Sequence, residues 1–173
     1  PTGGTPGFTY SWTNGQTNAT ATNLPPGNHE VTVTDANGCT AMNLITIEEP
    51  DTLTAVVSDL TNVSCYGGSD GEATVHVEGG IEPYSYQWTS GSTDTVEDGL
   101  IATDYGFRVT DANGCQTDIT VTISQPAQLA ITMDDVEDVS CFGFNDGRAT
   151  AEVSGGVSPY AYNWTSGEIA PTA

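Results

Sequence analysis

The sequence is poor in positive charge. Its 173 residues include no lysine and only 2 arginines, Arg108 and Arg148, against 23 acidic residues, so the formal net charge is −21. Binding the phosphates of a nucleic acid or an anionic membrane surface requires clustered lysine and arginine side chains. We therefore expect no nucleic-acid partner. The sequence also lacks any run that approaches the roughly 20 apolar residues needed to cross a bilayer.

The sequence repeats itself with a period of 76 residues. The segment T-D-A-N-G-C, which ends at Cys39, recurs with its end at Cys115, and 115 − 39 = 76. The segment V-S-C-Y-G around Cys65 recurs as V-S-C-F-G around Cys141 at the same separation. A fixed period of this kind indicates a repeat architecture in which each repeat is one structural unit. The same period relates Trp12, Trp88 and Trp164, the tyrosines two residues before them, and the Gly-Gly pairs at 3–4, 79–80 and 155–156.

The phase of the repeat predicts how the chain is divided. Residues 51–126 span one complete repeat, residues 1–50 carry the C-terminal part of a preceding repeat, and residues 127–173 carry the N-terminal part of a third. A sandwich that lacked several strands would expose its core and open sheet edges. We therefore expect the parent polypeptide to continue in both directions.

Apolar and polar residues alternate through the complete repeat, as in A-T-V-H-V-E at residues 73–78. A period of two with many β-branched residues is typical of strands that bury one face, and turns such as Asn113-Gly114 separate the strands. Six or seven short strands in 76 residues predict an all-β fold. We expect tandem small antiparallel β-sandwiches of immunoglobulin-like type, arranged like beads on a string. The predicted strands are 53–59, 72–78, 84–89, 93–97, 105–110 and 116–123.

Each complete repeat has two cysteine positions. A disulfide would stabilise a module of this size, whose hydrophobic core is small. The first interpretation is a Cys65–Cys115 disulfide, with Cys39 and Cys141 paired outside this chain. In the chain-entropy model, closing such a 50-residue loop stabilises the fold by about 4 kcal/mol. In a simple sandwich, however, the two positions lie at opposite ends. That placement favours a bond to the hairpin cysteine of a neighbouring repeat, and free thiols are a third alternative. Either disulfide would indicate an oxidising, extracellular setting.

One short motif suggests catalysis but lacks the context that catalysis requires. Residues 67–71 read G-G-S-D-G and match the G-x-S-x-G pattern of a nucleophile elbow. The equivalent residues 143–147 lack the serine, and His76 occupies an outward position on a predicted strand. We therefore predict no enzymatic activity. The Asp-Gly pairs that begin at Asp70 and Asp146 are assigned to tight turns.

We expect no cofactor, with calcium as a possible exception because this cation prefers carboxylate and carbonyl oxygens. The candidate ligands are Asp70, Asp111 and Asp146, which flank predicted turns and strands. No segment fits the loop of an EF-hand. The alternative is a solvated acidic face in which these aspartates form turns.

Two further features have both a structural and a functional interpretation. Tyr84, Tyr86 and Trp88 alternate on one strand, so they are core residues or, alternatively, a platform that stacks on carbohydrate. Thr52 and Thr95 follow aspartates in the short Asp-Thr-apolar pattern used for O-glycosylation in Bacteroidota. We expect both threonines to be exposed and name them as glycosylation candidates.

Three motifs together resemble the SprB repeat of Bacteroidota gliding-motility and cell-surface adhesins. They are V-S-C-Y-G-G-S-D-G, G-G-x-x-P-Y-x-Y-x-W and T-D-A-N-G-C, and the resemblance covers nearly all of the chain. It implies a long extracellular protein at the cell surface that the type IX secretion system exports. The implied partners are neighbouring repeats of the same chain, the outer-membrane motility and secretion machinery, and an extracellular surface or polysaccharide.

We therefore expect a repeat segment of a long filamentous adhesin, acting as an extended stalk in surface attachment and gliding. A net charge of −21 would keep neighbouring stretches of such a filament apart. Two alternatives remain: a carbohydrate-binding repeat module, or an accessory region of a large secreted hydrolase.

Overall fold

The computed structural model describes residues 1–172, which form strands, turns and loops. The all-β prediction is confirmed, and none of these residues belongs to a helix that could cross a membrane. The chain divides into two compact units, one from Pro1 to Asp51 and a second that begins at Thr52.

The first unit is one antiparallel sheet of three strands, β1 (Thr9–Trp12), β2 (Gly27–Thr34) and β3 (Thr40–Ile47), in the order β1-β2-β3. Along β2, Val31 pairs with Trp12 on one side and with Asn43 on the other. One period later, the positions of these three strands fall at residues 85–88, 103–110 and 116–123.

The complete repeat contains six strands, which are β4 (Thr54–Thr61), β5 (Gly71–Glu78), β6 (Ser85–Trp88), β7 (Val96–Leu100), β8 (Asp104–Thr110) and β9 (Gln116–Thr122). They form two three-stranded antiparallel sheets, ordered β4-β5-β7 and β6-β8-β9. All six predicted strands are present. The largest difference is in β7, which was expected at 93–97 and begins instead at Val96.

The core of this repeat lies between the two sheets and follows the alternation of the sequence. Ala73 and Val75 of β5 are buried, as are Phe107 and Val109 of β8. Trp88 is 1% exposed, and its ring meets that of Phe107 edge-on with the centroids 4.9 Å apart. Its indole Nε1 donates a hydrogen bond of 2.8 Å to the backbone oxygen of Asp94. The interpretation of Trp88 as a core residue is therefore confirmed.

The segment that follows residue 126 forms a two-stranded antiparallel sheet of β10 (Ala130–Glu137) and β11 (Arg148–Ser154). These strands occupy the repeat positions of β4 and β5. Leu129 is 60% exposed, whereas its equivalent Leu53 is 8% exposed. Similarly, Val139 is 49% exposed and its equivalent Val63 is 2% exposed. In the complete repeat, the second sheet therefore buries these positions.

One contact between a side chain and the backbone recurs, although the side chain differs between the repeats. The hydroxyl of Tyr105 lies 3.2 Å from the backbone nitrogen and 3.3 Å from the backbone oxygen of Ile101. His29 is the equivalent residue, and its Nε2 lies 2.7 Å from the backbone oxygen of Pro25. Both side chains thus fasten the start of a strand to the backbone four residues earlier.

Candidate functional site: the two cysteine loops

The first cysteine loop, residues 62–70, contains Cys65 and is called the exit loop here. This loop is hydrogen-bonded to the segment that follows β9. Val63 N donates to the backbone oxygen of Ser124 at 3.0 Å, and Ser124 N donates to the side chain of Asn62 at 2.8 Å. The exit loop therefore lies at the end of the repeat from which the chain leaves.

An aspartate organises the exit loop in both of its copies. Asp70 Oδ1 accepts a hydrogen bond of 3.0 Å from Ser64 N, and hydrogen bonds from Ser64 lower the pKa of Asp70. Asp146 Oδ1 accepts the equivalent bond of 3.0 Å from Ser140 N, and hydrogen bonds from Ser140 lower its pKa as well. Because these aspartates hold the residue beside each cysteine, their first role is structural.

The second cysteine loop, residues 111–115, joins β8 to β9, contains Cys115 and is called the hairpin loop here. Asp111 is 6% exposed, and its carboxylate holds the loop together. Asp111 Oδ1 accepts hydrogen bonds from the backbone nitrogens of Asn113 at 2.9 Å and Cys115 at 2.8 Å. Asp111 Oδ2 accepts a bond of 3.1 Å from Ile81 N. Burial raises the pKa of Asp111, but these backbone hydrogen bonds outweigh it and the pKa is lowered.

The contact between the hairpin loop and the Gly-Gly turn requires glycine. Gly80 has φ +64°, a conformation that costs other residues about 1–2 kcal/mol. A Cβ atom there would lie 3.0 Å from Asp111 Oδ2 and 3.0 Å from Leu53 Cδ1. The repeated Gly-Gly pair and the repeated aspartate therefore belong to one contact between the turn and the hairpin loop.

The first unit contains the same contact between an aspartate, its hairpin loop and the turn that follows the Gly-Gly pair. Asp35 Oδ1 accepts hydrogen bonds of 2.9 Å from the backbone nitrogens of Asn37 and Cys39. Asp35 Oδ2 accepts one of 3.0 Å from Thr5 N, which is the equivalent of Ile81. The hydrogen bond from Thr5 is the largest cause of the lowered pKa of Asp35. The hairpin cysteine is thus presented in the same way in both copies.

The topology of the complete repeat places the two cysteines of the predicted Cys65–Cys115 disulfide at opposite ends and gives this pairing no support. Cys115 precedes β9, whereas the exit loop is bonded to Ser124, beyond the other end of that strand. The seven residues of β9 at about 3.3 Å each separate the two loops. That distance is far larger than the 7 Å between Cα atoms that a disulfide tolerates. All four cysteines are exposed and have free thiols in the structure. Pairing of Cys39 and Cys141 with cysteines outside the chain stays a prediction.

The structure does not bring the calcium candidates together. Asp70 lies in the exit loop and Asp111 in the hairpin loop, and oxygens of both accept backbone hydrogen bonds. Among residues 1–172, no three histidine, cysteine, aspartate or glutamate side chains are grouped so that they could hold a metal ion. Calcium binding by Asp70, Asp111 and Asp146 therefore stays a prediction without geometric support.

The segment that resembles a nucleophile elbow lies in the exit loop and the first residue of β5. Ser69 is exposed between two strands rather than at a strand-to-helix turn. His76 is on the outer face of β5, where its Nε2 lies 3.4 Å from a carboxylate oxygen of Glu78. The structure places this serine and histidine in different elements.

The two glycosylation candidates differ in exposure. Thr52 is exposed before β4, as expected. The expected exposure of Thr95 was wrong: it is half-buried, and its backbone oxygen accepts a hydrogen bond of 2.9 Å from Val75 N. The loop containing Thr95 is thereby attached to the neighbouring strand. Modification of either residue stays a prediction.

The aromatic row combines core and surface residues. Tyr86 is half-buried and stacks on Phe107 with a centroid distance of 5.8 Å. The hydroxyl of Tyr84 donates a hydrogen bond of 2.6 Å to the backbone oxygen of Gly79. Both tyrosines line an open groove together with the acidic segment 92–98, which includes the start of β7.

Comparison with known proteins identifies a repeat type in two parts of the chain. Residues 57–93 and 133–168 match the family model described as the SprB repeat. The two matches begin 76 residues apart, which equals the period found in the sequence. This repeat type is non-catalytic and occurs in surface proteins. No curated protein matches the chain.

Proposed function

Because the chain contains SprB repeats, we propose that it is a stalk segment of a long filamentous cell-surface adhesin that acts in surface attachment and gliding motility. In this role each repeat adds length between an anchored end and an adhesive end. The repeat performs no chemical reaction. Its partners are the neighbouring repeats of the same chain, the outer-membrane motility and secretion machinery, and an extracellular surface or polysaccharide.

The observation that carries this proposal is the position of the chain at the two ends of the complete repeat. The chain enters at Leu53, which lies against Gly80 at the hairpin-loop end. It leaves at Ser124, which is bonded to the exit loop. The eight residues of β4 run between these ends and span roughly 26 Å at ~3.3 Å per residue. Each repeat therefore extends the chain along the strand direction instead of doubling it back.

The charge distribution supports an extended array. Both arginines are exposed and already paired with carboxylates: Arg108 with Asp118 at 2.7 Å, and Arg148 with Glu137 at 3.5 Å. The remaining surface is strongly acidic, since the net charge is −21. Like charge on successive repeats opposes compaction and association between filaments.

The length of in-phase arrays of one to four complete repeats tests the stalk proposal. We expect the maximum dimension from small-angle scattering to grow by a constant increment of about 30–40 Å per added repeat. Growth with the weak length dependence of a compact globule would contradict the proposal. In cells, removing repeats from the parent protein should shorten the rupture distance in single-cell force spectroscopy in proportion to the number removed. An unchanged rupture distance would exclude a stalk role.

A second candidate function, carbohydrate binding, is favoured by the groove beside Tyr84 and Tyr86. Aromatic rings next to acidic side chains, here Asp94 and Glu97, are a surface on which sugars stack and form hydrogen bonds. A glycan array tests it directly. Binding that is lost with Asp94→Asn and kept with Asp118→Asn, which lines another groove, would support this candidate. The absence of binding on the array would remove it without affecting the stalk proposal.

A further inference from the structure

The exit-loop cysteine faces the beginning of the repeat that follows. Cys65 and Tyr66 line a groove that is also lined by Gly156 and Val157 of the following segment. The thiol of Cys65 is exposed and free. Gly156 belongs to the next repeat and is fastened to the linker by a hydrogen bond of 2.8 Å from its backbone nitrogen to Ala127 O. The exit loop of one repeat and the Gly-Gly turn of the next therefore line the same groove.

In the complete repeat, the hairpin-loop cysteine is tied to that same turn. Asp111 bonds Ile81 N through one carboxylate oxygen and Cys115 N through the other, at 3.1 and 2.8 Å. Ala112 N adds a hydrogen bond of 2.8 Å to Ile81 O. The first unit repeats this arrangement around Asp35. The hairpin cysteine is therefore held beside the Gly-Gly turn of its own repeat.

These two placements meet at the junction between repeats. Gly156 and Val157 are the equivalents of Gly80 and Ile81, because 156 − 80 = 76. A repeat that continues beyond them places its hairpin cysteine at the groove that Cys65 already lines. We propose that successive repeats are joined by a disulfide bond between the exit-loop cysteine of one repeat and the hairpin-loop cysteine of the next.

This connectivity uses every cysteine of an array once. Cys115 and Cys39 would pair with the exit loops of the repeats before them, and Cys65 and Cys141 with the hairpin loops of the repeats after them. No two cysteines of this chain are partners in the scheme, which agrees with the four free thiols. The bond forms by thiol–disulfide exchange with a small-molecule disulfide such as oxidised glutathione. The two cysteine thiolates supply the electrons, one S–S bond forms between them, and two molecules of reduced glutathione leave.

The linkage would change how the array carries force. A single chain that connects two sandwiches lets them rotate about the linker, whereas a second covalent connection fixes their relative orientation. Pulling force would then pass through two covalent connections at each junction.

An in-phase tandem polypeptide tests the connectivity. When residues 22–126 of a second copy follow residue 173, the 76-residue period continues without interruption, because 98 − 22 = 76 and residue 173 is equivalent to residue 97. Two cross-links are expected after oxidation with glutathione disulfide: Cys65 to Cys39 of the appended copy, and Cys141 to Cys115 of the appended copy. Free thiols are blocked after oxidation, and the protein is digested with pepsin at low pH so that disulfides do not exchange. Mass spectrometry then identifies the linked peptides.

Matched variants make the result decisive. Cys65→Ser should remove the first cross-link and leave the second intact. Cys115→Ser in the first copy, which has no predicted partner in this polypeptide, should leave both. Under the same oxidant the 173-residue chain alone should stay a monomer without any cross-link between its cysteines, which carry at most a reversible glutathione cap. Cross-links within one repeat, or Cys65 and Cys141 of the first copy left unlinked in the folded tandem polypeptide, would overturn the proposal.

Discussion

Replacing Trp88 with alanine tests whether the complete repeat is a closed sandwich. Trp88 is wholly buried between the sheets, and truncating a buried tryptophan costs about 3–5 kcal/mol of unfolding free energy. The edge-on contact with Phe107 contributes about 0.5–1.5 kcal/mol of this loss, and the hydrogen bond to Asp94 contributes about 1 kcal/mol. Because small domains are stable by only about 5–15 kcal/mol, the variant should be close to unfolding.

The repeat supplies its own controls for this substitution. Trp12 and Trp164 donate the same indole hydrogen bond, to Asn18 O at 2.9 Å and to Ala170 O at 2.8 Å. Both are half-buried rather than buried. Trp12→Ala and Trp164→Ala should therefore lose the hydrogen bond and part of the burial, about 1–2 kcal/mol each. The difference from Trp88→Ala isolates the contribution of the closed core.

Native-state hydrogen exchange provides a local measurement for each variant. The opening free energy of amides in β8 should fall by several kcal/mol in Trp88→Ala, while amides in β2 and β11 keep their protection. Equal losses for Trp88→Ala and Trp12→Ala would show that the second sheet adds no burial. That result would refute the sandwich.

Two more predictions concern the hairpin loop. The folded-state pKa of Asp111 is lowered, so its contribution to stability is complete above the unfolded pKa of about 3.9 and is lost as the pH falls through the folded value. Melting temperatures followed by circular dichroism should therefore fall in acid for the native chain and less steeply for Asp111→Asn; parallel curves would contradict this. Gly80→Ala should lower the melting temperature more than Gly114→Ala. Both glycines have positive φ, but only the Cβ at Gly80 meets neighbouring atoms, at 3.0 Å. Equal shifts would show that the contact with Asp111 is not tight.

The alternation of apolar and polar side chains was sufficient to predict the strands. A strand that buries one face needs an apolar residue at every second position, whichever apolar residue that is. The alternation at residues 73–78 predicted one buried face, and the structure buries Ala73 and Val75 on it. Strand β7 was displaced by three residues because its sequence V-E-D-G-L carries little alternation. There the strand boundary depends on pairing with β5, which the local sequence does not contain.

The contacts between loops were harder to predict, since they join residues that are distant in sequence. Asp111 and Ile81 are 30 residues apart, and nothing near either residue indicates their hydrogen bond. A signal did exist: the Gly-Gly pair and the aspartate recur with the same period. The contact of His29 and Tyr105 with the backbone four residues earlier could not be predicted for a different reason, since the two side chains are unlike.

The repeated motifs include the loops at both ends of the repeat as well as core positions such as Trp88. Core positions tolerate exchange among apolar residues, so Val75 is replaced by Ala151 one period later. The loop positions allow less, because each aspartate must accept backbone hydrogen bonds at a fixed distance from a cysteine. Asp70 and Asp111 organise loops at opposite ends of the complete repeat. The recurrence of these aspartates together with Trp88 therefore preserves the two loops as well as the core.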